Sequence, residues 1–328
     1  MIGGPSEVNE DRLFANVNWR DVLRRWDEVS ASLSQNKIPE WIRTDFSRAD
    51  IIVDFAKKNG MQIFFGHLFW PAPLPKTIFD SSFTNDELRK MLEFMVKAKA
   101  TRYRGKVDVW SINEIVSRML WGSSQDKSLF QRLGTDFIED VFRWAHESDP
   151  QARLMFNESH VEQPDNPMFT RTSETTIEFL KKYKQRGVPI HLVGSHFHTW
   201  IYDPPNFQVV RPIIKTIKDL GYDFWASEVT VNISDRDPLV TARKKRIEIS
   251  GDLLQAQAQF YKELLETMLE YNCGFMMFDF SDFPYEMFAL DYKLPEARAH
   301  IFDGNYKPKP AYYAVYDVLQ KATTKKTP

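Results

Sequence analysis

The chain has one cysteine in 328 residues, Cys273, which excludes an internal disulfide and a thiolate zinc site. This scarcity does not decide the compartment, because many large secreted enzymes also lack disulfides. Long apolar runs are missing too: no stretch approaches the ~18 residues of a membrane span, and the first five residues do not open a signal peptide. The expectation is a cytoplasmic protein, or a secreted one whose signal this sequence does not carry. Neither sign of charge is in excess, with 43 Lys+Arg against 45 Asp+Glu, so there is no basic footprint for nucleic acid and no polybasic segment for a membrane. A small or neutral molecule is the expected partner. Phosphate-cradling loops are absent as well, with no Walker motif and no G-x-G-x-x-G. Gly/Ser linkers, low-complexity tracts and short-period repeats are also absent, and the 18 prolines are scattered. One domain over 1–328, a monomer by default, is expected.

Aromatic residues are plentiful: 9 Trp, 12 Tyr and 25 Phe exceed what an ordinary core needs, and flat rings that stack on sugar faces are one use for the surplus. Short apolar runs alternate with amphipathic stretches. Strands are predicted at 61–65 (MQIFF), 107–112 (VDVWSI), 153–156, 190–195 (IHLVGS), 223–227 and 274–278 (GFMMF). Between them, apolar residues at i, i+3, i+4 spacing predict helices at 85–98, 129–146, 173–187, 209–221 and 253–271. This order is that of a parallel sheet wrapped by helices, and the fold class is α/β, a (β/α)8 TIM barrel. Eight strands require two more before Met61. A helix at 47–60, opened by a Ser47 cap and closed by Gly60, and another at 19–32 leave only 1–3 and 38–42 as strand candidates, so the amino terminus reads as short or remodelled.

In such barrels the active site lies at the carboxyl ends of the strands. The predicted strands end in Asn113 and Glu114, in Asn157 and Glu158, in His196 and His198, and in Glu228. Glycoside hydrolysis needs two carboxyl groups flanking the scissile bond, one protonated and one ionised. Glu114 and Glu228 can supply them from strands that face one another across the mouth. A lone Glu after a strand otherwise serves as a helix-cap partner or a surface ion pair, Asn113 as a cap and His198 as a satisfied core histidine. His160 beside Asn157 and Glu158 matches no metal-ligand spacing and reads as a loop network, 243–246 as a solvated charged face, and the tail 321–328 as frayed.

The segment YRGKVDVWSINE, 103–114, resembles the acid/base strand of family 10 xylanases. SRADIIVDFAKKNG followed by MQIFFGHLFW, then IHLVGSHFH, DFWASEV and IFDGNYKPKPAYYAV, resemble further pieces of that family in the same order, over about 44–319. The resemblance implies a retaining endo-β-1,4-glycanase acting on xylan or xylo-oligosaccharides, with no metal and no organic cofactor. Glu114 would be the acid/base, Glu228 the nucleophile, Asn113 a donor to the sugar 2-hydroxyl and His198 a partner of the nucleophile. His67, Trp70, His196, Asn157, Phe278 and Tyr285 would complete the sugar site. The chain departs from the pattern in several places. Trp70 is followed by Pro71, Ala72 and Pro73 in place of a subsite histidine, and Thr230 replaces an aspartate. His196 replaces a glutamine, Phe278 a tryptophan, and Asn36, Lys37 and Trp41 match the second strand only loosely. A weak or inactive sugar-binding barrel, or a β-glycosidase with another substrate, therefore stays open beside the xylanase reading.

Overall fold

The computed structural model describes residues 14–18, 46–72, 83–233, 252–282 and 298–324. Strand and helix alternate: β1 (Phe14–Asn18), α1 (Ser47–Lys58), β2 (Gln62–Phe69), α2 (Asn85–Arg102), β3 (Val109–Asn113), α3 (Ile115–Trp121), α4 (Ser124–Leu133), α5 (Phe137–Ser148), β4 (Arg153–Glu158), α6 (Thr170–Gln185), β5 (Leu192–Ser195), β6 (His198–Trp200), α7 (Phe207–Asp219), β7 (Asp223–Asn232), α8 (Leu253–Glu270), β8 (Gly274–Met277) and α9 (Pro310–Thr324). Every pairing is parallel, β1 through β5 in chain order, then β5 and β6 both to β7, and β7 to β8. β5 and β6 are two lengths of one stave, since β7 runs unbroken beside both; the break falls at His196 and Phe197, where Phe197 takes φ 54°. Seven staves of a (β/α)8 barrel are thus described, and the place between β8 and β1 is filled by no described strand.

The two-residue alternation of a strand decides which side chains enter the barrel. Phe64, Val109, Met155, Leu192, Trp225 and Met276, one from each of β2, β3, β4, β5, β7 and β8, form an apolar cluster inside it. Their chain neighbours, such as Phe65, Trp110, Leu154, Val193 and Phe224, belong to the larger core shared with the helices. Each large side chain buried there contributes about 1.5–3 kcal/mol, enough in total to carry a polar interior at one end. Two residues further along β3, β4 and β7 the inward positions turn polar, at Ser111, Asn157 and Ser227, and Asn113 and His196 lie beyond them. Gly194 sits among these: a Cβ there would meet Asn157 Oδ1 at 2.2 Å, Met155 Sδ at 2.7 Å and Ser227 Oγ at 2.8 Å, so the site requires glycine.

The six predicted strands all form, with shifted ends. β7 continues five residues past Ser227, β2 four residues past Phe65, and the 190–195 strand resumes as β6. The stave beside β2 is Phe14–Asn18, which the sequence reading did not pick out; the candidates 1–3, 38–42 and 19–32 lie outside the described residues. The helix expected over 129–146 is two helices, α4 and α5, parted at Gly134 with φ 71°. Ser47 is the first residue of α1 and not its cap, which is Phe46 with no side-chain hydrogen bond. α9 extends to Thr324, four residues into the tail expected to fray. No described helix is long and apolar enough to cross a membrane.

Candidate active site

At the end of β3 the chain turns directly into α3, and Glu114 is the turning residue. It adopts a left-handed conformation, φ 49° and ψ 46°, which is costly for a non-glycine residue and is held by the structure around it. Glu114 N donates to Asn157 O at 2.8 Å, prolonging the ladder with β4. Glu158 fixes the other side of the turn: its carboxylate accepts from Val116 N at 2.6 Å, Ser117 N at 3.3 Å and Ser159 N at 2.9 Å, capping the first turn of α3. The side chain of Glu114 is then oriented through one oxygen. Oε2 accepts from Trp70 Nε1 at 2.8 Å and from Arg118 Nε at 2.8 Å, while the Arg118 guanidinium lies over the Trp70 ring, 5.3 Å from its centroid. With Oε2 facing these donors, a proton on this carboxyl group belongs on Oε1.

Glu228 is positioned by a bulge in β7. Ala226 pairs with Ser195 and Phe275, whereas Thr230 pairs with His198 and Val229 with Met277, so β7 carries one extra residue between them. A regular strand would send Ser227 and Glu228 to opposite faces; the bulge turns both inward. Ser227 Oγ donates to Asn157 Oδ1 at 2.5 Å, and Asn157 Nδ2 donates to Glu228 Oε1 at 2.8 Å and to Asn113 Oδ1 at 2.9 Å. The second oxygen, Oε2, lies 3.2 Å from His198 Nε2, and His198 Nδ1 lies 3.0 Å from Thr230 Oγ1. This chain is satisfied by an imidazole carrying one proton, on Nε2, with the Thr230 hydroxyl donating to Nδ1.

His196 lies between the two carboxyl groups. Its Nε2 is 2.9 Å from Asn113 Oδ1 and 3.5 Å from Glu228 Oε1, and its Nδ1 is 3.9 Å from Glu114 Oε1. Because Asn113 Oδ1 is an acceptor already taken by Asn157, the His196 proton sits on Nε2. His67, set on the irregular part of β2, has Nδ1 3.0 Å from Ser111 Oγ and Nε2 3.8 Å from Glu228 Oε1. Burial pushes the His67 imidazole down to about 4, against the pull of Glu228, and also lowers His196, so both rings are neutral near pH 7. Burial opposes the charge on Glu228 too, but the positive charge that His196 and His67 take up at lower pH, with the hydrogen bond from His198, outweighs it and holds the carboxylate well below its usual range. Burial likewise raises Glu158 to about 7, beyond what its hydrogen bonds offset.

The model of Glycosyl hydrolase family 10 matches residues 24–318. The chain belongs to that family. It is 30% identical over 285 residues to a beta-1,4-xylanase of Dictyoglomus thermophilum, covering 83% of this chain and 75% of that one. It is 28% identical over 302 residues to endo-1,4-beta-xylanase B of Thermotoga neapolitana, covering 90% and 78%. Among solved structures it resembles xylanase 10B from Thermotoga petrophila RKU-1 in complex with xylobiose, with TM-score 0.74, 25% identity and coverage of 94% of this chain and 86% of that one. This family 10 chain is therefore a glycoside hydrolase built on a (β/α)8 barrel.

In this hydrolase Glu114, Glu228, Asn113, Asn157, His67, Trp70, His196 and His198 come together at one end of the barrel. Phe278, just past β8, packs edge-on against His198 with centroids 5.1 Å apart. Tyr285, Asn36, Lys37, Trp41 and 243–246 lie outside the described residues. His160 stacks on Phe169, centroids 3.6 Å apart, and is not in the group around Glu228. Sequence reasoning did not pick out Arg118, Ser111 or Ser227. Arg118 follows Glu114 at i+4, which on a helix is contact distance; Ser111 precedes Asn113 by the strand period of two. Ser227 follows the inward Trp225 by the same period of two, whereas Glu228 faces inward only because of the bulge.

Proposed function

We propose that this family 10 hydrolase is a retaining endo-β-1,4-xylanase, with Glu114 as acid/base and Glu228 as nucleophile. The observation that carries the reading is the His196 imidazole standing within 4 Å of both carboxyl groups, 3.9 Å from one and 3.5 Å from the other, at the mouth of the barrel. The two carboxyl groups have unlike surroundings. Glu228 is buried, hydrogen-bonded by Asn157 and His198 and held ionised, as an attacking group must be. Glu114 offers Oε1 as the oxygen that can give up a proton.

In this mechanism a Glu228 oxygen attacks the anomeric carbon while the Oε1 proton of Glu114 passes to the leaving glycosidic oxygen. A glycosyl-enzyme forms and the aglycone departs. Glu114, now ionised, takes a proton from water, whose oxygen attacks the same carbon and releases Glu228. Asn113 Oδ1 is occupied by Asn157 and His196, so its Nδ2 is the part left to donate to a sugar 2-hydroxyl, a contact that strengthens as positive charge develops on the ring. His67, Trp70, His196 and Phe278 line the same mouth, and Asn157, fully buried, acts through Glu228 and Asn113. No metal or organic cofactor enters these steps.

Xylan, xylo-oligosaccharides and cello-oligosaccharides, incubated with the protein and followed by product analysis, test the substrate. Internal cleavage of xylan that is abolished in Glu228→Ala is the expected result. Calorimetric binding of xylo-oligosaccharides with no cleavage would instead make this a sugar-binding barrel.

A further inference from the structure

We propose that His196, His198 and Glu228 form a binding site for a transition-metal ion of the Zn2+ type, and that the bound ion inhibits the hydrolase. The three residues offer donor atoms that all lie within 4.8 Å of one another. Two neutral imidazoles and one carboxylate are a donor set that Zn2+ accepts, with a fourth position left for water. A tetrahedral ion with bonds of about 2.0 Å places its ligand atoms on the order of 3.3 Å apart. Each imidazole meets one Glu228 oxygen near that spacing, Oε1 3.5 Å from His196 Nε2 and Oε2 3.2 Å from His198 Nε2. Coordination through a single oxygen requires one ring to close in from within the 4.8 Å span.

The outer partners favour the same arrangement. Metal-binding histidines direct their second nitrogen to an oxygen acceptor, which fixes the ring and the tautomer. Here His198 Nδ1 is 3.0 Å from Thr230 Oγ1, and the oxygen acceptor near His196 Nδ1 is Glu114 Oε1, 3.9 Å away and outside hydrogen-bond distance. On binding, each imidazole keeps its single proton and moves it from Nε2 to Nδ1. The Thr230 hydroxyl reverses from donor to acceptor, and the His196 Nδ1 proton turns toward Glu114. The exchange gives up the hydrogen bond between His196 Nε2 and Asn113 Oδ1. An ion seated there ties up the Glu228 carboxylate and occupies the place of the sugar.

Titration calorimetry of the full chain with ZnCl2 at pH 7, in the absence of sugar, tests the site. One ion per chain is expected. His196→Gln should weaken binding at least ~100-fold, and Thr230→Val, which loses only the outer partner, ~10–100-fold. Co2+ supplies a readout on the parent alone: visible bands of a four-coordinate ion, abolished by one equivalent of Zn2+. No ion bound by the parent, parental affinity in both variants, or the pale spectrum of a six-coordinate Co2+ would overturn the proposal. Since the heat is read without sugar, such a result leaves the xylanase reading untouched, and failure to cleave xylan leaves the metal site untouched.

Discussion

The Thr230 hydroxyl lies 3.0 Å from Nδ1 of His198, the imidazole whose Nε2 faces Glu228. The family pattern has aspartate at this position, which can only accept and so asks for a proton on Nδ1; threonine can donate and asks for none. Thr230→Val removes the bond without changing the shape of the side chain. Loss of one such hydrogen bond corresponds to a fall in kcat of up to about tenfold. Thr230→Ser, which keeps the hydroxyl, should stay near the parent. Steady-state kinetics on xylo-oligosaccharides decide it, and an unchanged kcat in Thr230→Val would mean that the hydroxyl does not orient His198.

Glu114→Gln cannot protonate a leaving group. On xylan the expected loss in kcat is about 10²–10⁴-fold. On an aryl xyloside whose phenol is itself acidic, formation of the glycosyl-enzyme needs no proton, so that step should be spared and the second should become limiting. Burst kinetics with such a substrate read the difference; a burst phase slowed as much as turnover of xylan would remove Glu114 from the acid role.

Burial raises Glu158 to about 7, above the 4.5 of an ordinary glutamate, so the folded state favours the protonated form. The stability this lends is complete below about 4.5 and is lost as pH rises to about 7, by an amount on the order of 3 kcal/mol. Above pH 7 the dependence ends. Glu158→Gln keeps an acceptor for the first turn of α3 but has nothing to titrate. The buried imidazoles of His67 and His196 add the opposite slope in this window to both proteins, so the difference is read. Relative to the variant, the melting temperature of the parent should fall between pH 4.5 and 7.

Much of this was legible because a strand prints its direction on the sequence. The six predicted strands and the site residues at their carboxyl ends followed from alternation and from the ordered motifs, and the match over residues 24–318 agrees with the resemblance read there. What escaped has physical causes. β1 is five residues long and carries Asn16 and Asn18, with none of the continuous apolar character that marks a buried strand. The bulge in β7 shifts side chains by one position, and no local residue type announces it. Glu158 stood out as a strand-end acid, yet it works as a cap for α3, a contact between segments 42 residues apart that spacing does not show.

Gly194 leaves the space that the Asn157 amide occupies. A methyl group there, in Gly194→Ala, forces Asn157 or Met155 aside at a cost of about 1–3 kcal/mol in stability. Because Asn157 also holds Glu228 and Asn113, kcat should fall more than KM changes. Thermal unfolding together with kinetics checks this, and a variant that melts and turns over like the parent would contradict the packing described here.

The central claim is a double displacement with Glu228 as nucleophile. Its most direct test is trapping with a xylobioside bearing fluorine at carbon 2 and an activated leaving group, which slows release of the glycosyl-enzyme, followed by peptide mass spectrometry. The account predicts one sugar per chain, attached through an ester to Glu228, and no adduct in Glu228→Gln. An adduct on another residue, or turnover of the reagent with inversion and no adduct, would contradict it.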